Sequence, residues 1–339
     1  MPRLTCLLLC CLTLSCARPP AAPPVIGAAR ASSPAVVTTT STLPALPAAA
    51  AAVESDRGEA RHLGEIRQLT ALGRNGDARF SLDGERLFFQ SRRAPGADEC
   101  LLSIGTDGRG ARFVRGAPCP ATGVAPLEQG LVFSRREDLG AEVPAGAWGL
   151  VRLIGAKLTP LTTPPALGLR DARDAVFAPE AGLIFFSAEL DGQRDLFARS
   201  LDGAQALRIT STREDEGAPA PSPDGGRVAF WRATGAARSE IFLLDRASGK
   251  THPLTALGAR SWAPAMHPDG ERVLFGSGCY GELDHELLLV DARTAQLERV
   301  TYQPGYDGLP AFDPAGRRVA WTSSRHGGVP QIYVADWID

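Results

Sequence analysis

One phrase of about a dozen residues recurs along the chain and restricts what the chain can fold into. Each copy begins with small or apolar residues, continues through a tight turn rich in Asp, Pro and Gly, and ends in a strand that closes on an aromatic residue. The copies read ARFSLDGERLFF (78–89), VAPLEQGLVF (124–133), AVFAPEAGLIFF (175–186), PAPSPDGGRVAF (219–230), PAMHPDGERVLF (264–275) and PAFDPAGRRVAW (310–321). Their turns begin near residues 81, 125, 178, 222, 267 and 313, so one structural unit repeats at a nearly constant interval.

Each copy continues in the same way towards the next one. A third apolar strand follows, such as EIFLLD (240–245), ELLLVD (286–291) or QIYVAD (331–336), and then a Gly-containing hairpin such as TDGR (106–109). The Asp-Gly pairs supply the left-handed backbone that such hairpins need. A fourth strand ends on an apolar residue and Thr, as in ALRIT, THPLT and LERVT. Four strands per repeat, six times over, predict an all-β, six-bladed β-propeller.

The two ends of the repeat array predict how the ring closes. The last copy stops after its third strand, IYVADW (332–337), and an unmatched strand, EIRQLT (65–70), precedes the first copy. This early strand has the Leu-Thr ending of the fourth strands. We expect it to pair with the last strand and complete the sixth blade, which leaves no open sheet edge. The propeller domain is therefore predicted over residues 62–339.

The repeated phrase resembles the repeats of the TolB-like β-propeller family, to which the periplasmic propeller of the Tol-Pal system belongs. The likeness is strongest over residues 215–339, in PSPDGGRVAF, MHPDGERVLF and the run from YDGLPAFDPAGRRVAW to QIYVADW. Blades one to three depart from it: Leu82 replaces the turn proline, and residues 178–181 lack the Asp-Gly pair. The resemblance implies the fold and an envelope role, but a shared fold does not identify a partner.

The first sixteen residues predict an export signal. One positive charge precedes an apolar run, Leu4 to Leu14, that is too short to span a bilayer. The stretch LTLSC resembles a lipobox, which implies that Cys16 is lipidated and becomes the first mature residue. Ala17 follows it, which by the same resemblance favours the outer membrane. Ordinary cleavage and release of a soluble periplasmic or secreted protein is the alternative.

Residues 17–61 predict a disordered linker. They consist almost entirely of Ala, Pro, Ser, Thr and Val up to residue 53 and contain no aromatic residue. Such a segment cannot bury enough apolar surface to offset the entropy of ordering it. Frequent proline keeps it extended, as a tether between a lipid anchor and a folded domain requires.

Three cysteines remain beyond the export signal, Cys100, Cys119 and Cys279. Cys100 and Cys119 are close enough in sequence to form a disulfide across one hairpin and its exit, which an oxidising compartment would permit. The alternative is three buried or free thiols. No CxxC motif is present, which argues against a structural zinc site.

No pattern of residues predicts catalysis or a cofactor. The chain has no GxSxG elbow, and none of its five histidines has HExxH spacing. We therefore predict no catalytic residue, no cofactor and no metal. A formal net charge of -2 argues against nucleic acid as a partner. The expected species is a monomer that contacts the membrane only through its lipid.

The residues just before each innermost strand are predicted to line one rim of the central channel. A rim that combines aromatic rings with opposite charges is typical of a binding surface. The candidates for contact with a partner are Arg260, Trp262, Tyr306, Asp307, Asp77, Asp174, Asp215 and Glu216. The alternative is that Trp262 and Tyr306 pack between blades and that the Asp residues cap backbone amides.

Two classes of function follow. The first is a non-catalytic envelope scaffold that holds a protein or other envelope component through one rim, predicted at the rim of blades five and six. The second is an envelope enzyme that acts on peptide or carbohydrate with paired rim carboxylates.

Overall fold

The computed structural model describes residues 58–136, 148–162, 168–203, 205–281 and 283–339. These ranges form 24 strands and one 3-10 turn, Glu59–Arg61. The predicted export signal, Cys16 and all but the last residues of the predicted linker lie outside the described residues.

The strands form six antiparallel four-stranded sheets, which are the six blades expected from the repeat. Blades 1 to 3, from the innermost strand outwards, are β2 (Arg74–Phe80), β3 (Arg86–Arg92), β4 (Cys100–Gly105), β5 (Arg112–Phe113); β6 (Ala121–Pro126), β7 (Leu131–Arg136), β8 (Trp148–Ile154), β9 (Lys157–Pro160); β10 (Arg170–Ala178), β11 (Leu183–Leu190), β12 (Gln193–Ser200), β13 (Leu207–Arg208). Blades 4 to 6 are β14 (Glu216–Pro221), β15 (Arg227–Gly235), β16 (Arg238–Asp245), β17 (Lys250–Pro253); β18 (Ser261–Met266), β19 (Arg272–Ser277), β20 (Glu286–Asp291), β21 (Leu297–Arg299); β22 (Asp307–Phe312), β23 (Arg318–Ser323), β24 (Gln331–Asp336), β1 (Arg67–Gln68).

The ring closes as the sequence predicts. The innermost strands contact one another in the cyclic order β2, β6, β10, β14, β18, β22 and back to β2. Strand β1 pairs antiparallel with β24, with Arg67 opposite Val334 and Gln68 opposite Tyr333. Blade 6 therefore combines one strand from the N-terminal side of the domain with three from its C-terminal side.

The aromatic residue that ends each repeated phrase has a fixed structural role. All six innermost strands contain a β-bulge, where two residues face one residue of the second strand and the first of the two has a left-handed backbone. The left-handed residues are Asp77, Gly123, Asp174, Ala218, Ala263 and Leu309, with φ between 48° and 59°. The residues opposite the bulges are Phe89, Phe133, Phe186, Phe230, Phe275 and Trp321, and all of them are fully buried.

The Thr at the end of most fourth strands links the outermost strand of the blade to the third strand. In five blades its hydroxyl accepts a hydrogen bond, 2.8–3.0 Å long, from the backbone N–H of an apolar residue early in the third strand. These threonines are Thr70, Thr162, Thr210, Thr255 and Thr301. Blade 1 has Arg115 in the corresponding position.

Blade 1 instead contains a disulfide between Cys100 and Cys119. Cys100 is the first residue of β4, and Cys119 lies in the loop that leads to blade 2. Cys279 is free and partly buried, and burial raises the pKa of its thiol. The pairing is the first of the two alternatives that the sequence left open.

The described residues begin at Gly58, four positions before the predicted domain boundary at residue 62. Gly58 and the 3-10 turn, assigned to the linker from sequence, lie against blades 5 and 6. The Glu59 carboxylate accepts hydrogen bonds from the backbone N–H of Tyr302 and from Arg325, and Arg61 forms an ion pair with Glu298 at 2.8 Å. Charged contacts rather than apolar burial hold this segment, and for that reason hydrophobicity did not reveal it. Across the described residues, no helix has the length and apolar character needed to cross a membrane.

Candidate functional site

The eight rim residues predicted from sequence lie on one face of the ring, where the innermost strands begin; we call it the entry face. They do not occupy equivalent positions. Counted from the bulge of each strand, Asp77 and Asp174 are the left-handed residues themselves and Trp262 directly precedes one. Glu216 and Asp307 are first residues of their strands, whereas Asp215, Arg260 and Tyr306 lie just outside the strands. The bulge shifts the side-chain alternation, so the predicted set mixes several levels of the channel wall.

Two of the predicted contact residues, Glu216 and Asp307, are inside the protein. Glu216 is 0% exposed, and its carboxylate accepts hydrogen bonds from Arg232 at 2.7 Å and Thr212 at 3.0 Å. Asp307 is 1% exposed and accepts hydrogen bonds from the Trp321 ring N–H at 2.9 Å and from Arg325.

Burial raises the pKa of Asp307, although the Arg325 guanidinium opposes that rise. Both carboxylates hold the starts of their strands in place. Glu216 and Asp307 are therefore not on the surface that a partner could reach, since both are buried in ion pairs, with Arg232 and Arg325 respectively.

The two predicted aspartates at bulges are also engaged by neighbours. Asp174 accepts a hydrogen bond from Ser187 at 2.8 Å and another from the backbone N–H of Ala218 in the next blade. Asp77 accepts one from Gln90 at 2.7 Å and forms an ion pair with Arg79 at 2.9 Å. These contacts are the amide-capping alternative for Asp174, while Asp77 also lines a cavity described below.

Trp262 and Tyr306 form a contact between neighbouring blades. Their rings stack with centroids 6.1 Å apart, and His285 packs edge-on against both, at 5.1 and 5.7 Å. The exposed Arg260 guanidinium lies 5.5 Å from the centroid of the Trp262 ring. Burial is the main cause that raises the pKa of Tyr306 to about 12, so its hydroxyl stays protonated at neutral pH. Both rings are partly buried, so they join the blades and still reach the entry face.

A cavity of about 480 Å³ opens beside this aromatic pair, at the seam between blades 6 and 1. We call it the seam cavity. Blade 1 contributes residues 74–77 and 90–92, and blade 6 contributes Tyr306, Leu309 and Thr322 among others. Its wall is anchored across the seam by Asn75, whose amide N–H donates to Gln331 at 2.7 Å, and by the Asp77 backbone N–H, which donates to Thr322 at 3.1 Å.

A second cavity, of about 590 Å³, adjoins the first on the outer side. We call it the outer cavity. It shares Arg74 and Arg92 with the seam cavity and adds Arg93 and small or apolar residues such as Pro95 and Val329. Sequence reasoning missed both cavities apart from Asp77 and Tyr306. The available signal was the pair of arginine-rich segments GRNGD (73–77) and SRRAPG (91–96), which are adjacent in blade 1 and which ring closure places beside blade 6.

The remaining predicted residue, Asp215, is exposed on blade 4. It accepts hydrogen bonds from Gln193 at 3.0 Å and from the backbone N–H of Arg194. It lies away from the two cavities. Among the described residues no three His, Cys, Asp or Glu side chains are grouped so that they could hold a metal ion.

Comparison with known proteins gives related chains for the C-terminal blades. Residues 201–339 match the family model described as PD40, TolB beta propeller domain. Proteins named Protein TolB homolog from Chlorobium chlorochromatii and Chlorobium luteolum are 34% and 28% identical over 142 and 153 residues. These matches cover 42% and 45% of this chain but only 31% and 34% of the relatives, so the chain matches about a third of their length.

Solved structures share the fold over most of the chain. A putative TolB from Agrobacterium tumefaciens has a TM-score of 0.58 at 18% identity and covers 81% of this chain and 98% of its own. A gluconolactonase from Xanthomonas campestris has a TM-score of 0.61 at 17% identity, covering 82% and 91%. At such identities the likeness concerns the propeller fold alone.

Proposed function

We propose that this chain, which belongs to the TolB-like β-propeller family, is a non-catalytic scaffold of the cell envelope that binds a protein partner through its entry face. The site would consist of Arg260, the Trp262–Tyr306 pair and the seam cavity, across blades 5, 6 and 1. The observation that carries the proposal is the grouping of partly exposed aromatic rings, an exposed arginine and an open cavity at one seam. Such groups are typical of the residues that dominate binding energy in protein interfaces.

The enzymatic alternative receives less support from the described residues. A propeller hydrolase with paired carboxylates needs two acids that face a substrate across a pocket. Of the predicted rim acids, Glu216 and Asp307 are buried in ion pairs, and Asp174 accepts hydrogen bonds from Ser187 and Ala218. Carboxylates that are paired in this way stabilise the blades and are not available as a catalytic acid and base.

An affinity capture with matched variants tests the scaffold. The purified protein would be incubated with envelope extract, and captured proteins would be identified by mass spectrometry. Arg260→Ala should weaken capture of the partner, because Arg260 is exposed and its removal leaves the fold intact. Arg238→Ala is the control, an exposed arginine on the same face of blade 4. Equal capture by both variants would place the site elsewhere.

We further propose that the protein is exported and held by a lipid on Cys16, with residues 17–57 as the tether. The apolar run before Cys16 and the Pro-rich composition after it support this. Cys16→Ser should move the protein from the membrane fraction to the soluble fraction and abolish labelling by radioactive palmitate. Unchanged labelling in the variant would exclude Cys16 as the anchor and leave ordinary cleavage as the explanation of export.

A further inference from the structure

The outer cavity has an unusual combination of charge and apolar surface. Three arginines line it, Arg74, Arg92 and Arg93, and its described walls contain no Asp or Glu. Arg92 forms an ion pair with Glu99 at 3.1 Å, and Arg93 donates to the backbone carbonyl of Leu72 at 2.9 Å. Arg74 is exposed, and its guanidinium has no hydrogen bond or ion pair with any residue that the structure describes. The cavity therefore offers one uncommitted cation to an anion.

Apart from Gln331, the rest of the wall of the outer cavity consists of small or apolar residues. Ala71, Ala94, Pro95 and Val329 contribute to its wall, and the Val329 side chain is 44% exposed. Leu72, next along the chain, is 75% exposed. A ligand that carries an apolar group beside an anion matches both parts of this wall, since the apolar group is removed from water while the anion meets a planar guanidinium.

The seam cavity continues from the outer cavity past the shared residues Arg74 and Arg92. Its wall carries neutral hydrogen-bonding side chains, including Gln90, Ser91 and Ser324. Its two carboxylates are already paired, Asp77 with Arg79 and Glu99 with Arg92. A polypeptide main chain offers further donors and acceptors to such groups. A lipid acyl chain placed there would displace their water without replacing its hydrogen bonds, at a cost of about 1–3 kcal/mol for each group left unsatisfied. The two cavities together therefore favour a polypeptide as the occupant.

We propose that the joined cavities bind a carboxylate-bearing, apolar-flanked segment of a partner polypeptide. Its carboxylate pairs with Arg74, its apolar side chain packs against Pro95 and Val329, and its main chain runs into the seam cavity. This inference rests on the proposed scaffold function and specifies the chemistry of its partner. The carboxylate can belong to a chain terminus or to an acidic side chain, and the chemistry at Arg74 is the same.

Short peptides test this directly on the purified protein. The first is acetyl-Ser-Gly-Ser-Leu with a free C-terminal carboxylate, the second is its C-terminal amide, and the third is acetyl-Ser-Asp-Leu-Gly-amide with an internal acid. Affinities would be measured by NMR titration. We expect one or both acidic peptides to bind at least tenfold more tightly than the neutral amide. Preference for the first or the third peptide distinguishes a terminal carboxylate from an acidic side chain.

Matched variants locate the binding. Arg74→Gln should remove the tenfold preference, because it deletes the uncommitted cation, while Arg238→Gln, the control on blade 4, should keep it. Val329→Asp should also abolish binding of the acidic peptides. Unchanged melting temperatures would show that the three variants are folded. Equal binding of acidic and neutral peptides, or equal losses in Arg74→Gln and Arg238→Gln, would overturn the proposal.

The capture experiment separates this inference from the scaffold function. If a partner is captured in an Arg260-dependent way but Arg74→Gln captures it equally well, the scaffold stands and the inference about the cavities fails. Anionic vesicles of phosphatidylglycerol provide the remaining comparison. Arg74-dependent binding to vesicles without binding to any acidic peptide would replace the polypeptide with a lipid and overturn the proposal.

Discussion

Cys100 occupies in blade 1 the position that Glu286 occupies in blade 5. Each is the first residue of the third strand of its blade. The next residue in each strand, Leu101 or Leu287, accepts a hydrogen bond through its carbonyl from the backbone N–H of Val114 or Val300, respectively. Glu286 accepts a hydrogen bond from Thr301, which follows the fourth strand of blade 5. Cys100 instead forms a disulfide with Cys119, which lies beyond the fourth strand of blade 1. The disulfide thus fastens the one blade that lacks the terminal Thr.

Removal of the disulfide should destabilise the domain. Cys100→Ser combined with Cys119→Ser opens a loop closed over 19 residues, which corresponds to about 3 kcal/mol in the chain-entropy description. Thermal unfolding followed by circular dichroism would measure it. Cys279→Ser, which affects no bond between cysteines, is the control. Equal melting temperatures for the double variant and the native protein would show that blade 1 needs no covalent fastening.

Loss of one terminal threonine hydroxyl should also be measurable. In Thr255→Val the backbone N–H of Ile241 and the Glu240 carboxylate, both buried, lose a partner at once. We expect a loss of about 1–3 kcal/mol in the free energy of unfolding by urea. Thr255→Ser keeps the hydroxyl and should recover most of that stability. A valine variant as stable as the native protein would show that the hydrogen bonds of this hydroxyl contribute nothing measurable to stability.

Asp307→Ala should act on stability and not primarily on binding. It leaves Arg325, which is 95% buried by side-chain area, with Glu59 as its remaining carboxylate and also removes the acceptor of the Trp321 ring N–H. Breaking a buried pair in this way costs about 3–5 kcal/mol. Asp215→Ala, from the exposed part of the same predicted rim, should change the urea midpoint little. If the Asp307→Ala protein is as stable as the native protein, the carboxylate is not needed for folding and a role in partner binding has to be tested again.

Stability should fall between pH 5 and pH 8 because of Glu286. Burial raises the pKa of this carboxyl from 4.5 to about 7 in the folded protein. The folded state therefore holds the proton more tightly than the unfolded state, so the contribution is complete below pH 4.5 and is lost as pH rises through about 7.

Melting temperatures at pH 5 and pH 8 would measure the effect. Glu286→Gln should reduce the fall by roughly 5 °C, since Gln cannot ionise and Gln331 already fills this position in blade 6. Glu180→Gln, an exposed site, should leave the fall unchanged. The opposite slope in the native protein, with stability rising towards pH 8, would mean that the Arg299 ion pair outweighs burial.

The fold could be predicted because the repeat encodes it locally. The Asp-Gly turns, the aromatic endings and the unmatched strand before the first copy each correspond to a turn, a buried residue opposite a bulge, and the closing strand β1. The rim was less predictable because the bulge is invisible in the sequence: Asp77, Gly123 and Leu309 share one backbone conformation but no side-chain chemistry. The sequence analysis took the residues just before each innermost strand as rim residues, but Glu216 and Asp307 are already the first residues of their strands and are buried.

The cavities escaped prediction for a different reason. They lie between residues 71–96 and 306–331, which are distant in sequence and meet only because the ring closes. Arg74 and Arg93 are separated from Val329 by more than two thirds of the chain. Comparison of one repeat with the next does not predict which side chains meet between blades 6 and 1, even though the closure of the ring was predicted.

The shared sixth blade also has a consequence for the order of events during folding. Its hydrogen bonds join residues more than 260 positions apart, such as Tyr333 and Gln68, so their loop-closure cost is among the highest in the domain. Each of blades 1 to 5 consists of strands that are neighbours in sequence, whereas blade 6 is complete only after β24 has paired with β1. Since both cavities are built at that junction, a nascent or truncated chain that lacks β24 would have no complete binding site, whatever the state of the other five blades. Ligand binding at the seam would then report that the whole domain has been completed.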